Sequence, residues 1–140
     1  SYESMQSKFG REYKNTDGLY ELFGKFQVEL FLEYNGYNFT KWFDPLSYLY
    51  ITKAINIYDI SRGFDSLGEA LKKITCELHL MSFSNDQLFK NFEMREISDA
   101  LTKIGNTNHT YVDIESNYGH DAFLVEVEKF EEYVKDILNG

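Results

Sequence analysis

YVDIESNYGHDAFL (Tyr111–Leu124) changes its period part-way along. Tyr111, Val112, Asp113, Ile114 and Glu115 alternate apolar with polar and include β-branched residues, which predicts a short strand. After a turn containing Gly119, the apolar residues Phe123, Val127, Phe130, Val134, Ile137 and Leu138 recur mostly at spacings of three and four. That spacing predicts one face of an amphipathic helix of roughly five turns, with Glu126, Glu128, Glu131, Glu132 and Lys135 largely on the other face. His120 falls in the first turn of this helix, directly after the strand and its turn. In open α/β sheets such junctions lie at the carboxyl edge, where ligands bind. From these residues alone, His120 reads equally well as a reactive group and as an ordinary polar residue at a helix start.

Upstream, the elements continue the alternation. Ser66 and Glu69 have the spacing of a capping box, and the helix they open carries Leu67, Ala70, Leu71 and Ile74. Cys76, Leu78 and Leu80 alternate with Glu77, His79 and Met81, which predicts a strand and places Cys76 in the core. The polar loop SFSNDQLF follows. Met94, Ile97, Leu101 and Ile104 then mark a helix ended by Gly105. The order helix, strand, helix, strand, helix predicts a parallel βαβ unit with a trailing helix, an α/β fold. Both strands of such a unit deliver their carboxyl ends to one edge, about 4.8 Å apart. The loop after the first strand carries Asp86 and the loop after the second carries His120. A carboxylate there would orient the imidazole and stabilise its protonated form. His79 and His109 have no such partner in view and read as ordinary strand or surface residues.

The first half is built differently. Many of the 12 Phe and 11 Tyr fall in the first sixty positions, and the stretch from about Leu19 to Tyr58 reads as helical and aromatic. Leu19, Leu22, Phe23, Phe26, Leu30 and Phe31 share one helical face, with a break expected from Gly36 through Phe39. Pro45, the chain's one proline, suits the first turn of a further helix after Asp44. Tyr48 to Tyr58 is apolar on more than one side, which suggests contact with another subunit or domain.

Composition narrows the classes. A chain of 140 residues with 43% apolar content suits one domain. The net charge of −9, with no block of Lys or Arg, argues against nucleic-acid or anionic-membrane binding. No apolar run approaches the roughly 20 residues that cross a bilayer, and no signal peptide is visible at Ser1. A single cysteine gives no disulfide framework and no thiolate metal site, and fits a reducing cytoplasmic location.

Several motifs occur here in one order: LEYNGYNF, FDPLSYLYITKAINIYD, SRGFDSLGEAL, NDQLF and SNYGHDAFL. Together, over nearly the whole chain, they resemble the carboxyl-terminal part of homoserine O-acetyltransferases, members of the α/β-hydrolase superfamily. The resemblance implies a helical lid and dimerisation region over residues 1–72, followed by the β-α-β-α end of the hydrolase core over 73–140. It implies that Asp86 is the catalytic acid and His120 the catalytic histidine, and that Asp121 helps hold the amino group of homoserine. It implies acetyl transfer from acetyl-CoA to the hydroxyl of L-homoserine in methionine biosynthesis. Acetyl-CoA would be a co-substrate, with no permanently bound cofactor and no metal, and the enzyme a homodimer through the lid. The chain departs from the family pattern at Leu46, Glu77, Ser84 and Asn85.

The family's nucleophile is a serine on a G-x-S-x-G-like elbow, and no such segment occurs here: Ser61, Ser66, Ser82, Ser84 and Ser116 lack the flanking glycines. The oxyanion-hole segment is missing too, and the family's substrate-binding arginine would fall just before Ser1. The chain is therefore expected to be the last two-fifths of such an enzyme, inactive alone. Two alternatives accompany this reading: a related acyltransferase or esterase with serine or succinyl-CoA specificity, and a non-catalytic remnant or partner subunit.

Overall fold

Helix α1 (Tyr2–Phe9) opens the chain, in a computed structural model that describes residues 1–14 and 21–139. The described residues fall into two compact units, Tyr2–Asp59, and Ile60–Gly140 together with Ser1.

The first unit is helical. Helices α2 (Gln27–Trp42) and α3 (Pro45–Asn56) follow α1. Leu19 lies outside the described residues. Leu22 and Phe23, expected in the same helix, lie instead in a turn, and α2 starts only at Gln27. The cause is backbone pairing: Tyr13 and Phe26 form an antiparallel bridge, Lys14 N–H donates to the Lys25 carbonyl and Gln27 N–H to that of Glu12. Chain held extended in this way cannot also make helical bonds. The expected break at Gly36–Phe39 is absent, and α2 continues to Trp42. One glycine costs a helix only about 1 kcal/mol, too little to end one of 16 residues. The helix stops where Phe43 turns extended, just before the Asp44–Pro45 pair. The Asp44 carboxylate then accepts from Ser47 N–H at 2.7 Å, with Pro45 in the first turn of α3 as expected. No residue of α3 is buried: Tyr48 meets Phe39 and Phe43 at 5.5 and 6.2 Å, but Leu49, Tyr50, Ile51 and Ile55 stay exposed.

The second unit is the α/β part. Helix α4 (Leu67–Leu71) begins where Ser66 Oγ accepts from Glu69 N–H at 3.2 Å, the cap read from the sequence. Strand β1 (Leu78–Phe83), helix α5 (Asn91–Lys103) and strand β2 (His109–Ile114) form the βαβ unit. The two strands pair in parallel, in register from Leu78 opposite His109 to Phe83 opposite Ile114. Helix α5 packs on both strands and α4 packs on α5, which buries Leu71, Leu101 and Ile114. Gly105 ends this segment with a φ of 79°, a left-handed conformation that glycine adopts without steric cost. Cys76 lies outside β1 and is exposed, contrary to the expected core position. The strand begins two residues later, so Cys76 belongs to the approach and not to the packed sheet.

The closing helix is also not continuous. It divides into a 3-10 turn (Gly119–Asp121), α6 (Ala122–Val125), a second 3-10 turn (Val127–Lys129) and α7 (Glu131–Asn139). Glu126, at φ −118° and ψ 51°, leaves the helical region and makes the first break. Of the apolar set, Phe130 meets Phe83 of β1 edge-on at 6.1 Å, while Phe123, Val127 and Leu138 are exposed. Among the described residues, no helix is long and apolar enough to cross a membrane.

Candidate functional site

The polypeptide leaves β1 at Phe83 and turns at once, Asp86 N–H donating to the Phe83 carbonyl. Asp86 divides its two oxygens between two tasks. Oδ1 accepts from Leu88 N–H at 2.7 Å and Phe89 N–H at 2.9 Å, which folds the loop around the carboxylate. Oδ2 lies 2.9 Å from Nδ1 of His120, from the loop after β2. The structure thus brings together the two residues that the strand order placed at one sheet edge, 34 positions apart in sequence.

Electrostatics fixes the roles in this contact. Burial pushes the Asp86 carboxyl up, but the bonds from Phe89 N–H, the His120 ring and Leu88 N–H outweigh it and hold the group below its ordinary value. A carboxylate only accepts hydrogen bonds, so Nδ1 of His120 carries the proton, and in the neutral ring Nε2 holds the lone pair. The Asp86 side chain is 6% exposed and that of His120 38%, so the imidazole reaches solvent while the carboxylate does not. Among the described residues, no other hydrogen bond to the His120 ring is formed. Phe89 and Phe123 flank the imidazole at centroid distances of 5.1 and 5.7 Å, and these residues share a cleft of about 270 Å³ with Asp86 and Met94.

Close approach of the two loops depends on Gly119. Its φ is 64°, and a Cβ there would stand 3.1 Å from the Asn85 carbonyl oxygen. Any other residue would be strained and would push the His120 loop away from the Asp86 loop. Asn85 adds a direct tie, its Nδ2 donating to the Ser116 carbonyl at 2.8 Å and to Asn117 Oδ1 at 3.1 Å. At the far end of the loop, Asn91 Nδ2 donates to Asp113 Oδ2 of β2 at 2.8 Å.

Asp121 is exposed and lines a second cleft of about 260 Å³ with Gln87, Leu88, Tyr118, Gly119 and His120. It neighbours the pair without joining it. His79 and His109 stay in the strands: His79 meets Glu77 at 3.3 Å and Thr110 at 2.8 Å, a partnership not seen in the sequence. Among the described residues, no group of three or more His, Cys, Asp or Glu side chains is arranged to hold a metal ion. Sequence reasoning missed the supporting residues Phe89, Ser116, Gly119 and Phe123. A glycine directly before a candidate histidine was the one usable signal, for Gly119.

Comparison with known proteins shows what the chain is similar to. The chain is 76% identical over 140 residues to the homoserine O-acetyltransferase of Sulfurimonas autotrophica, covering 100% of this chain and 38% of that protein. Over its whole length the chain is similar to the carboxyl-terminal part of homoserine O-acetyltransferases. A second relative of that name, from Nautilia profundicola, is 57% identical over 140 residues, again 100% of this chain and 38% of its own length. The chain thus spans 38% of the length of these curated relatives. The fold agrees: the crystal structure of homoserine O-acetyltransferase from Bacillus anthracis matches 99% of this chain and 37% of its own, with a TM-score of 0.84 at 24% identity. That likeness makes the architecture the carboxyl-terminal part of an α/β-hydrolase fold. No family model matches the chain.

Proposed function

We propose that this chain supplies the acid–base arm of an acyltransferase that moves an acetyl group from acetyl-CoA to the hydroxyl of L-homoserine, in methionine biosynthesis. The observation that carries the reading is the Asp86–His120 contact of 2.9 Å at the ends of two adjacent parallel strands. The names of the relatives supply homoserine and the acetyl group, and the motif resemblance supplies acetyl-CoA as the donor.

In this reading His120 works through Nε2 while Asp86 holds Nδ1–H. As a serine hydroxyl attacks the acetyl carbonyl of acetyl-CoA, its proton passes to Nε2. The tetrahedral adduct collapses, the C–S bond breaks, and the CoA sulfur leaves with the proton from Nε2. The homoserine hydroxyl then gives its proton to Nε2, attacks the acyl-serine, and the serine oxygen leaves with that proton. Asp86 stays ionised throughout and stabilises the imidazolium that forms twice. Asp121, in the cleft beside His120, binds the ammonium group of homoserine. The serine belongs to a G-x-S-x-G-like elbow outside these 140 residues, so the chain alone turns nothing over. The reaction needs no metal and no permanently bound cofactor. The enzyme works in the cytoplasm, as a homodimer joined through the exposed aromatic surface of Tyr2–Asp59.

The test is free CoA release from acetyl-CoA and L-homoserine by the polypeptide that joins this chain to the amino-terminal part its relatives possess. His120→Ala lowers turnover by roughly 10³-fold or more. A His120→Ala enzyme of near-normal rate overturns the assignment.

A further inference from the structure

Ser116 is one of the most deeply buried polar residues of the chain, at 1% exposure. It is not idle, because all of its polar atoms are used. Its N–H donates to Ser84 Oγ at 3.2 Å, and its carbonyl accepts from Asn85 Nδ2 at 2.8 Å. Those two partners immediately precede Asp86. Its hydroxyl oxygen accepts from Tyr118 N–H at 3.0 Å, two residues before His120. Ser116 is therefore the node at which the loop of the acid meets the loop of the base.

The hydroxyl proton of this node goes to Glu126 Oε2. Glu126 is the residue whose backbone interrupts the closing helix, and the interruption turns its carboxylate back toward the loop. Its other oxygen pairs with Lys129 Nζ at 2.8 Å, and Lys129 in turn donates to the Glu115 carbonyl at 2.8 Å. A carboxylate that accepts from a buried hydroxyl is a stronger anchor than a neutral acceptor. It also leaves the Ser116 oxygen one orientation, lone pair toward Tyr118. The helix break that the apolar spacing did not foretell thus has a use: it places an anion behind the histidine loop.

We propose that Glu126, acting through the Ser116 hydroxyl, is a positioning residue that sets the register of the His120 loop against the Asp86 loop. It touches neither the reacting atoms nor the imidazole. The proposal rests on the catalytic reading of His120, and its test needs no substrate, so the two can fail separately.

The test is imidazole hydrogen exchange by NMR in the full chain with labelled histidine, the His120 signal being assigned by its disappearance in His120→Gln. The Nδ1–H of His120 is protected by its bond to Asp86. Glu126→Ala and Ser116→Ala accelerate its exchange by about tenfold or more, while the backbone amides of β1 and β2 keep their protection. Glu126→Gln, which keeps an oxygen for the Ser116 hydroxyl, restores protection to within about threefold of the wild type. The double variant Ser116→Ala/Glu126→Ala exchanges no faster than the faster single variant, because both act on one link. Should Glu126→Ala fail to fold, Ser116→Ala, which removes one oxygen atom, carries the comparison with Glu126→Gln. Unchanged exchange in Ser116→Ala, loss of protection in Glu126→Gln equal to that in an alanine variant, or additive effects in the double variant would each overturn the proposal.

Discussion

The helical unit, Tyr2–Asp59, and the α/β unit, Ile60–Gly140, are made by different means. Among the described residues of the first, only Tyr13 is buried, and Trp42 and Tyr50 are each 75% exposed. The second buries Leu71, Leu101, Ile114 and Ala122, together with the polar Ser82, Asp86 and Ser116. The helices of the first unit rest on local signals, such as the Asp44 cap and Pro45 at the start of α3. The second unit joins residues far apart in sequence, and among the described residues only there do a carboxylate and an imidazole from separate loops meet in a cleft. Local chemistry can therefore make elements, but placing a carboxylate against an imidazole takes packing that holds two loops at once.

Side-chain truncation exposes this contrast most strongly. Leu101→Ala, at a fully buried position of α5, should destabilise the α/β unit by about 2–5 kcal/mol in urea unfolding. Leu49→Ala, at an exposed position of α3, should stay within about 0.5 kcal/mol. Equal effects would break the comparison.

Association is the next test. Tyr2–Asp59 leaves many large apolar side chains exposed, Phe23, Trp42 and Tyr50 among them, and extensive exposed apolar surface marks interaction sites. Light scattering at micromolar concentration should therefore report a dimer or larger species. A clean monomer would remove the role given to that surface.

The smallest effect concerns acid. The Asp86 carboxyl is held below its ordinary value of 3.8, so its contribution to stability is complete above that value. It fades as pH falls further, through the folded-state value. Asp86→Asn should accordingly flatten the loss of stability below about pH 4. A variant whose acid unfolding matches the wild type would mean the carboxylate is not held in this way.

Legibility followed the same division. The βαβ order, the Ser66 cap and the placing of Asp86 and His120 at one edge were readable, because apolar spacing and strand direction are properties of the chain itself. The run of the first helix was not. Leu22 and Phe23 fit a helical face, yet the Tyr13–Phe26 bridge takes the neighbouring backbone for extended pairing, and no local residue announces a bridge across 13 positions. Gly36 looked like a stop but is tolerated inside α2. The break at Glu126 was hidden for another reason: it goes with the contacts of Glu126 to Ser116 and Lys129, which apolar spacing does not encode. Cys76 was misplaced because alternation extends a strand by eye beyond the residues that pair.

The central claim is that Asp86 and His120 act as one unit in acyl transfer. The most direct measurement is kcat/KM for CoA release in the complete enzyme, for Asp86→Asn, His120→Ala and the double variant. If they are one unit, the double variant loses no more than about tenfold beyond His120→Ala alone. Losses that multiply, each residue costing its full factor in the absence of the other, would contradict the account.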